Sequence, residues 1–115
     1  MTTLRIPVRQ LAWATDLHLV FVSGGLVRTF CEKLAQMPAD AIAITGDLSD
    51  GRRLERHLSL IAESVQKPIF LLLGNHDRYH TSFADAEEQV RRVVEIHPHV
   101  HRLTGREVIE SGLCT

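Results

Sequence analysis

The chain has 115 residues, 44% hydrophobic and 23% charged, with a formal net charge of -1. That is one domain or a piece of one with ordinary globular composition, which excludes a disordered tail. Its charges are scattered, so neither a basic nucleic-acid footprint nor an acidic tail is present.

Two cysteines, Cys31 and Cys114, are too few for a disulfide framework, and Cys31 falls inside a helical pattern as a small buried thiol. No apolar leader opens the chain. The longest apolar run, Ile69 to Leu73, is too short to span a bilayer. No membrane association and a cytoplasmic, reducing compartment are the default expectations.

In chain order, Gln10 to Thr15 reads as a buried strand running into Asp16-Leu17-His18. Ser23-Gly24-Gly25 breaks the pattern. Leu26, Phe30, Leu34 and Met37 then recur at helical spacing until Pro38 stops them. Ala41 to Thr45 is a second apolar strand, ending at Gly46-Asp47. Leu54, Leu58, Ile61 and Val65 mark a second helix before Lys67-Pro68. Ile69 to Leu73 is a third strand, ending at Gly74-Asn75-His76-Asp77. Phe83, Ala86, Val90 and Val93 mark a third helix. Beyond Pro98 come short strand-like pieces, His99 to Leu103 and Glu107 to Ile109. The order β-α-β-α-β-α-β-β, with strands apolar on both faces, predicts an α/β fold: a layered parallel sheet with helices outside, covered on both sides. In such sheets the ligand site lies beyond the carboxyl ends of the strands. Each polar cluster noted here sits at such an end.

Asp16 and His18 are two apart in an extended segment, so both side chains point to one side and can chelate one ion. Alone the pair is weak, because an aspartate after a strand is often a cap or turn residue. Gly46-Asp47 repeats the arrangement. A carboxylate has two oxygens and can bridge two cations about 3.5–4 Å apart. Asp50 is either an acceptor reaching back to the site or simple turn chemistry, with nothing to separate the two. Asn75 offers a neutral amide oxygen to a metal. His76 can donate a proton to a leaving group or bind a phosphate oxygen.

The ordered set Asp16-x-His18, Gly46-Asp47-Leu48-x-Asp50 and Gly74-Asn75-His76-Asp77 resembles the calcineurin-like metallophosphoesterase superfamily. The resemblance implies half of a four-layer α/β/β/α sandwich. It implies two divalent metal ions (Mn, Fe or Zn), with Asp16 and His18 on the first metal, Asp47 bridging and Asn75 on the second. His76 would contact phosphate or act as acid, oriented by Asp50. A metal-bridged hydroxide would attack a phosphomonoester or phosphodiester, with nucleic acid entering only as a substrate. The family completes its site with a Gly-His pair and a Gly-His-x-His, whereas none of the seven glycines here precedes a histidine. Glu107 to Ile109 reads as a strand, Ser111-Gly112 as a turn, and Leu113 to Thr115 as the opening of a partner strand. Residues 1–115 are therefore expected to be the N-terminal half of such a domain, prone to self-association through exposed sheet.

Other polar residues are weaker signals. His97, His99 and His101 alternate, which places them on one face of an extended strand, where ordinary edge-strand histidines are the expected reading. His57 reads as a boundary residue and His80 as a solvated loop residue. Arg52, Arg53 and Arg78 flank the motifs, where guanidinium groups steer phosphate, although exposed helix-start and loop charges explain them equally. Two other functions compete with hydrolysis. One is a receiver-like domain with Asp47 as acceptor, which lacks both an acid next to Asp16 and any lysine after Lys67. The other is a half-domain that binds metal or a partner without turnover.

Overall fold

In a computed structural model the described residues are 3–5, 9–15, 17–19, 22–74, 77, 81–103 and 108–110. The elements are β1 (Thr3–Arg5), β2 (Leu11–Ala14), α1 (Gly24–Gln36), β3 (Ala41–Thr45), α2 (Leu54–Ser64), β4 (Ile69–Leu72), α3 (Phe83–Ile96), β5 (Val100–Arg102) and β6 (Val108–Glu110).

Each helix starts and stops for a local reason. Ser23 Oγ accepts the Leu26 N–H to open α1, and Ser82 Oγ accepts the Asp85 N–H to open α3. α2 begins at Arg53, which has no side-chain cap, and the missing acceptor comes from another helix: Gln89 Oε1 takes the Glu55 N–H at 2.9 Å. The same amide donates from Nε2 to the Gly51 carbonyl, so one α3 side chain ties down both ends of the turn leading into α2. Pro38, Pro68 and Pro98 each follow a helix end by a few residues.

Four strands form one parallel sheet in the order β2-β3-β4-β5. Strand order equals chain order, so every crossover runs the same way. Right-handed crossovers then put α1, α2 and α3 on one face. Helices thus lie outside the sheet, as half of a layered sandwich requires, and they cover one face of it. The core agrees: Ile42, Ile44, Ile69, Leu71 and Val100 share a buried cluster with Val27, Leu34, Leu54, Leu58, Ile61, Val90 and Val93 from the helices. The register gives the other face a row of Trp13, Ala43, Phe70 and His101. There Phe70 is buried and stacks on His101 at 5.3 Å, while Trp13 is 70% exposed and donates from Nε1 to Thr45 Oγ1.

The chain ends differ from expectation. A strand forms at Thr3–Arg5, ahead of the first element the sequence pattern marks, and it pairs in parallel with Val108–Glu110 as a separate two-stranded sheet. The last strand therefore takes its partner from the start of the chain. Leu113 to Thr115, expected to open a hairpin, lie outside the described residues. The alternating histidines do not share one strand: His97 caps α3, its ring edge-on to that of His99 at 5.8 Å, His99 Nε2 meets the Ala62 carbonyl at 2.9 Å, and only His101 lies within β5.

The two faces should respond differently to truncation. Leu71→Ala, at a fully buried helix-facing site, should cost about 2–5 kcal/mol. Leu11→Ala, at a site 55% exposed, should stay within about 0.5 kcal/mol. Urea unfolding of the two variants measures the contrast.

Candidate metal centre

The carboxyl ends of β2 and β3 are joined by backbone beyond the strands themselves. His18 N–H donates to the Asp47 carbonyl at 3.0 Å and Leu19 N–H to the Leu48 carbonyl at 2.9 Å. Leu19 and Leu48 are buried, so each loop is pinned in the core one residue past its polar group. Both paired residues take left-handed backbone angles, His18 with φ 46° and Asp47 with φ 53°. This conformation costs an ordinary residue roughly 1–2 kcal/mol, less for Asp and His, and is held only where the surroundings over-determine it. Gly46, at φ 101°, makes the turn that presents Asp47.

The third strand end closes against the second. A Cβ on Gly74 would stand 2.3 Å from Asp47 Oδ1 and 2.6 Å from its backbone nitrogen. Glycine is thus required at 74 by the proximity of Asp47, independently of its own backbone angles. Asp77 locks the arrangement. It is fully buried, and its Oδ1 accepts the Ser49 N–H at 2.7 Å while Oδ2 accepts the Gly74 N–H at 2.9 Å. Burial pushes the Asp77 carboxyl above the usual range. Backbone donors from Gly74 and Ser49 oppose the rise, and the neighbouring Asp47 charge adds to it. Ser49, also buried, turns its Oγ to His57 Nδ1. His57 is only 7% exposed, so the boundary position expected for it is corrected to a buried one. Burial, then the charges of Arg56 and Arg53, lower its pKa and keep the ring neutral.

Of the expected site residues, the structure brings His18 and Asp47 into direct backbone contact. Asp16, Asn75, His76 and His80 lie outside the described residues. Asp50 Oδ1 accepts the N–H groups of Arg52 and Arg53, each at 3.0 Å, which is turn chemistry at the entrance to α2. Among the described residues no three His, Cys, Asp or Glu side chains form a metal cage. The donors that are described nonetheless suit one. The Asp47 carboxylate is only half-buried and lies where no side chain can stand at position 74, and His18 is half-buried beside it. An imidazole with carboxylate and amide oxygens suits borderline divalent ions. Sequence reasoning missed Asp77, Ser49 and Gln89 as the groups that hold the loops. The one available hint was an acidic residue three past a glycine in a tight loop.

The family described as calcineurin-like phosphoesterase matches residues 10–110. The chain belongs to that family. The receiver-like alternative falls with this match. The fold is also that of the crystal structure of TT1561 of Thermus thermophilus, with a TM-score of 0.66 and 18% identity. The likeness covers 83% of this chain and 41% of that one, so the chain spans about two fifths of the structure it resembles. Comparison with curated proteins returns no match. None of the described helices is long and apolar enough to cross a membrane.

Two measurements test the locking contacts. Gly74→Ala should lose about 1–3 kcal/mol or more by overpacking against Asp47, read by urea unfolding. His57 gives a pH signature. Its folded pKa lies below the unfolded 6.5, so the unfolded chain binds the extra proton as pH falls. The contribution of His57 to stability is therefore complete above pH of about 6.5 and lost progressively below it. Thermal melts between pH of about 8 and 5 should show this slope, and His57→Asn should flatten it.

Proposed function

We propose that the strand-end loops are the first half of a two-metal centre for phosphoester hydrolysis. On this reading Asp16 and His18 would hold one divalent ion, Asn75 would hold the other, and Asp47 would be a ligand to both. The observation that carries it is the paired left-handed conformation of His18 and Asp47, sealed by a glycine that only close approach demands. Backbone strain of this kind persists where a site needs its groups held in place.

Two ions, when bound, supply charge to the phosphoryl oxygens and acidify water. The protein's own contribution is placement. Asp77 fixes the separation of the β3 and β4 loops through Ser49 and Gly74, which holds Asp47 in place beside Gly74. His76 is the proton donor to the leaving group or the phosphate contact, and Asp50 would orient it in addition to holding the turn through Arg52 and Arg53. The substrate is a phosphomonoester or phosphodiester. Residues 1–115 form the N-terminal half of the domain. A second half supplies the histidine ligands and packs on the open face that carries Trp13.

In the whole protein, Asp47→Asn should lose more manganese-dependent hydrolysis of a chromogenic phosphodiester than Asp50→Asn. The loss for an orienting partner is about 10–100-fold. Equal and small losses refute the assignment. The 115-residue chain alone should bind manganese weakly by calorimetry, because four ligands shared between two ions leave each mostly to water.

A further inference from the structure

Away from the strand-end loops, two cavities flank the first turns of α2. The larger, about 660 Å³, lies between α2 and α3, and its arginines Arg52, Arg56 and Arg92 face Glu55, Asp85 and Glu88. Arg92 is ion-paired with Glu55 at 2.7 Å and with Glu88 at 3.7 Å, so this cleft carries its own counter-charges. The smaller, about 230 Å³, lies between α1 and α2 and is lined by Arg53, Arg56, His57 and Gly24 over an apolar floor of Leu19 and Leu60. At about 30 Å³ per water molecule it has room for a hydrated tetrahedral ion.

Every charged group on the smaller cavity has the same sign. Among the described residues no carboxylate lines it, and neither Arg53 nor Arg56 has an ion-pair partner. His57 forms a buried wall, with Nδ1 taken by Ser49 and no described residue on Nε2. The first turn of α1 supplies the fourth side. It has no acidic residue, and Gly24 and Gly25 have open space where side chains would stand. Leu26 and Val27 donate to Ser23, which leaves the Gly24 and Gly25 N–H groups and the positive dipole end to attract an anion. Burial, then the charges of Arg56 and Arg53, lower the His57 pKa; Asp50 offsets part of that repulsion, and an anion between the two arginines relieves more of it.

We propose that this cavity binds an oxyanion of the phosphate class, free or as an ester of a larger molecule. Two guanidinium groups provide forked donors matched to phosphate oxygens, the α1 N-terminus provides backbone donors, and the neutral His57 edge provides one more. Among the described residues none of the ligands proposed for the metal centre lines this cavity, and binding there needs no divalent ion.

The test is a titration of the full chain with inorganic phosphate in the presence of a chelator, followed by NMR at the Gly24 and Gly25 amides and the His57 ring. Saturable shifts at those positions are expected. Arg53→Gln combined with Arg56→Gln should weaken binding about tenfold or more. Arg53→Lys combined with Arg56→Lys should retain part of it, and Arg91→Gln, which removes an arginine paired with Glu88 and Glu95, should leave it unchanged. Phenyl phosphate run in parallel separates the sources: tighter binding than inorganic phosphate marks an esterified ligand, and equal binding marks the free ion. Absence of saturable shifts without metal overturns the proposal. So does a doubly Gln-substituted chain, shown folded by circular dichroism, that binds phosphate as the parent does. Neither result bears on hydrolysis at Asp47.

Discussion

The site region depends on one close approach, the backbone of Gly74 against Asp47. With a would-be Cβ 2.3 Å from the carboxylate, the loops after β3 and β4 meet without an intervening side chain. That contact needs something to hold it, because glycine has no side chain to pack. Asp77 does so with a buried carboxylate that accepts backbone donors from both loops. A lone buried charge costs several kcal/mol, and the N–H donors on this carboxylate offset part of that, burial still prevailing. The loops are thus built around a carboxylate that never meets solvent, while Asp47 beside it stays partly open. Two aspartates in neighbouring loops differ in exposure: Asp77 is sealed and holds the backbone, and Asp47 is only half-buried.

Strand order decides why this happens on one edge only. A parallel sheet in the order β2-β3-β4-β5 sends successive strand ends to adjacent positions. The polar loops after β2, β3 and β4 are then neighbours by construction, and backbone bonds such as His18 to Asp47 extend the pairing past the strands. The same order gathers all three helices on one face, which leaves Trp13 exposed on the other. The apolar run at Ile69 to Leu73 is explained by both faces at once. Ile69 and Leu71 meet the helices, while Phe70 is buried on the other face against His101.

Most of the fold was legible because its signals are local. Ser23 and Ser82 cap helices, the three prolines end them, and the Ala41 to Thr45 run is short, apolar and bounded as a buried strand must be. The misses are non-local. Pairing of Thr3–Arg5 with Val108–Glu110 joins segments about one hundred residues apart, and no pattern within either predicts the other. His57 falls on the edge of an apolar stripe and is buried because Ser49, eight residues earlier, offers it a hydroxyl. Gln89 looks like any polar residue on a helix, yet it caps α2 from across the interface. For the site, residue types and order indicate which groups are chemical. They do not indicate Asp77, whose role lies in backbone donors that carry no sequence identity.

Gln89 shows how far such control reaches. The turn from Asp47 to Arg53 has to serve both a strand end and a helix start. Asp50 accepts the Arg52 and Arg53 N–H groups from inside the turn, and Gln89 holds Gly51 and Glu55 from outside it. A segment with donors satisfied from both sides has few alternative backbone states, which is what a left-handed Asp47 requires. The cost is a helix α2 that cannot cap itself. Its first turn puts Arg53 and Arg56 on the lining of the cavity beside α1, with no ion pair to either among the described residues, and Arg56 borders the α2–α3 cleft as well. Rigidity of the turn and the basic character of the neighbouring cavity are therefore two consequences of one arrangement. The helix start is placed to hold Asp47, and Arg53 and Arg56 reach the cavity beside α1 because of that placement.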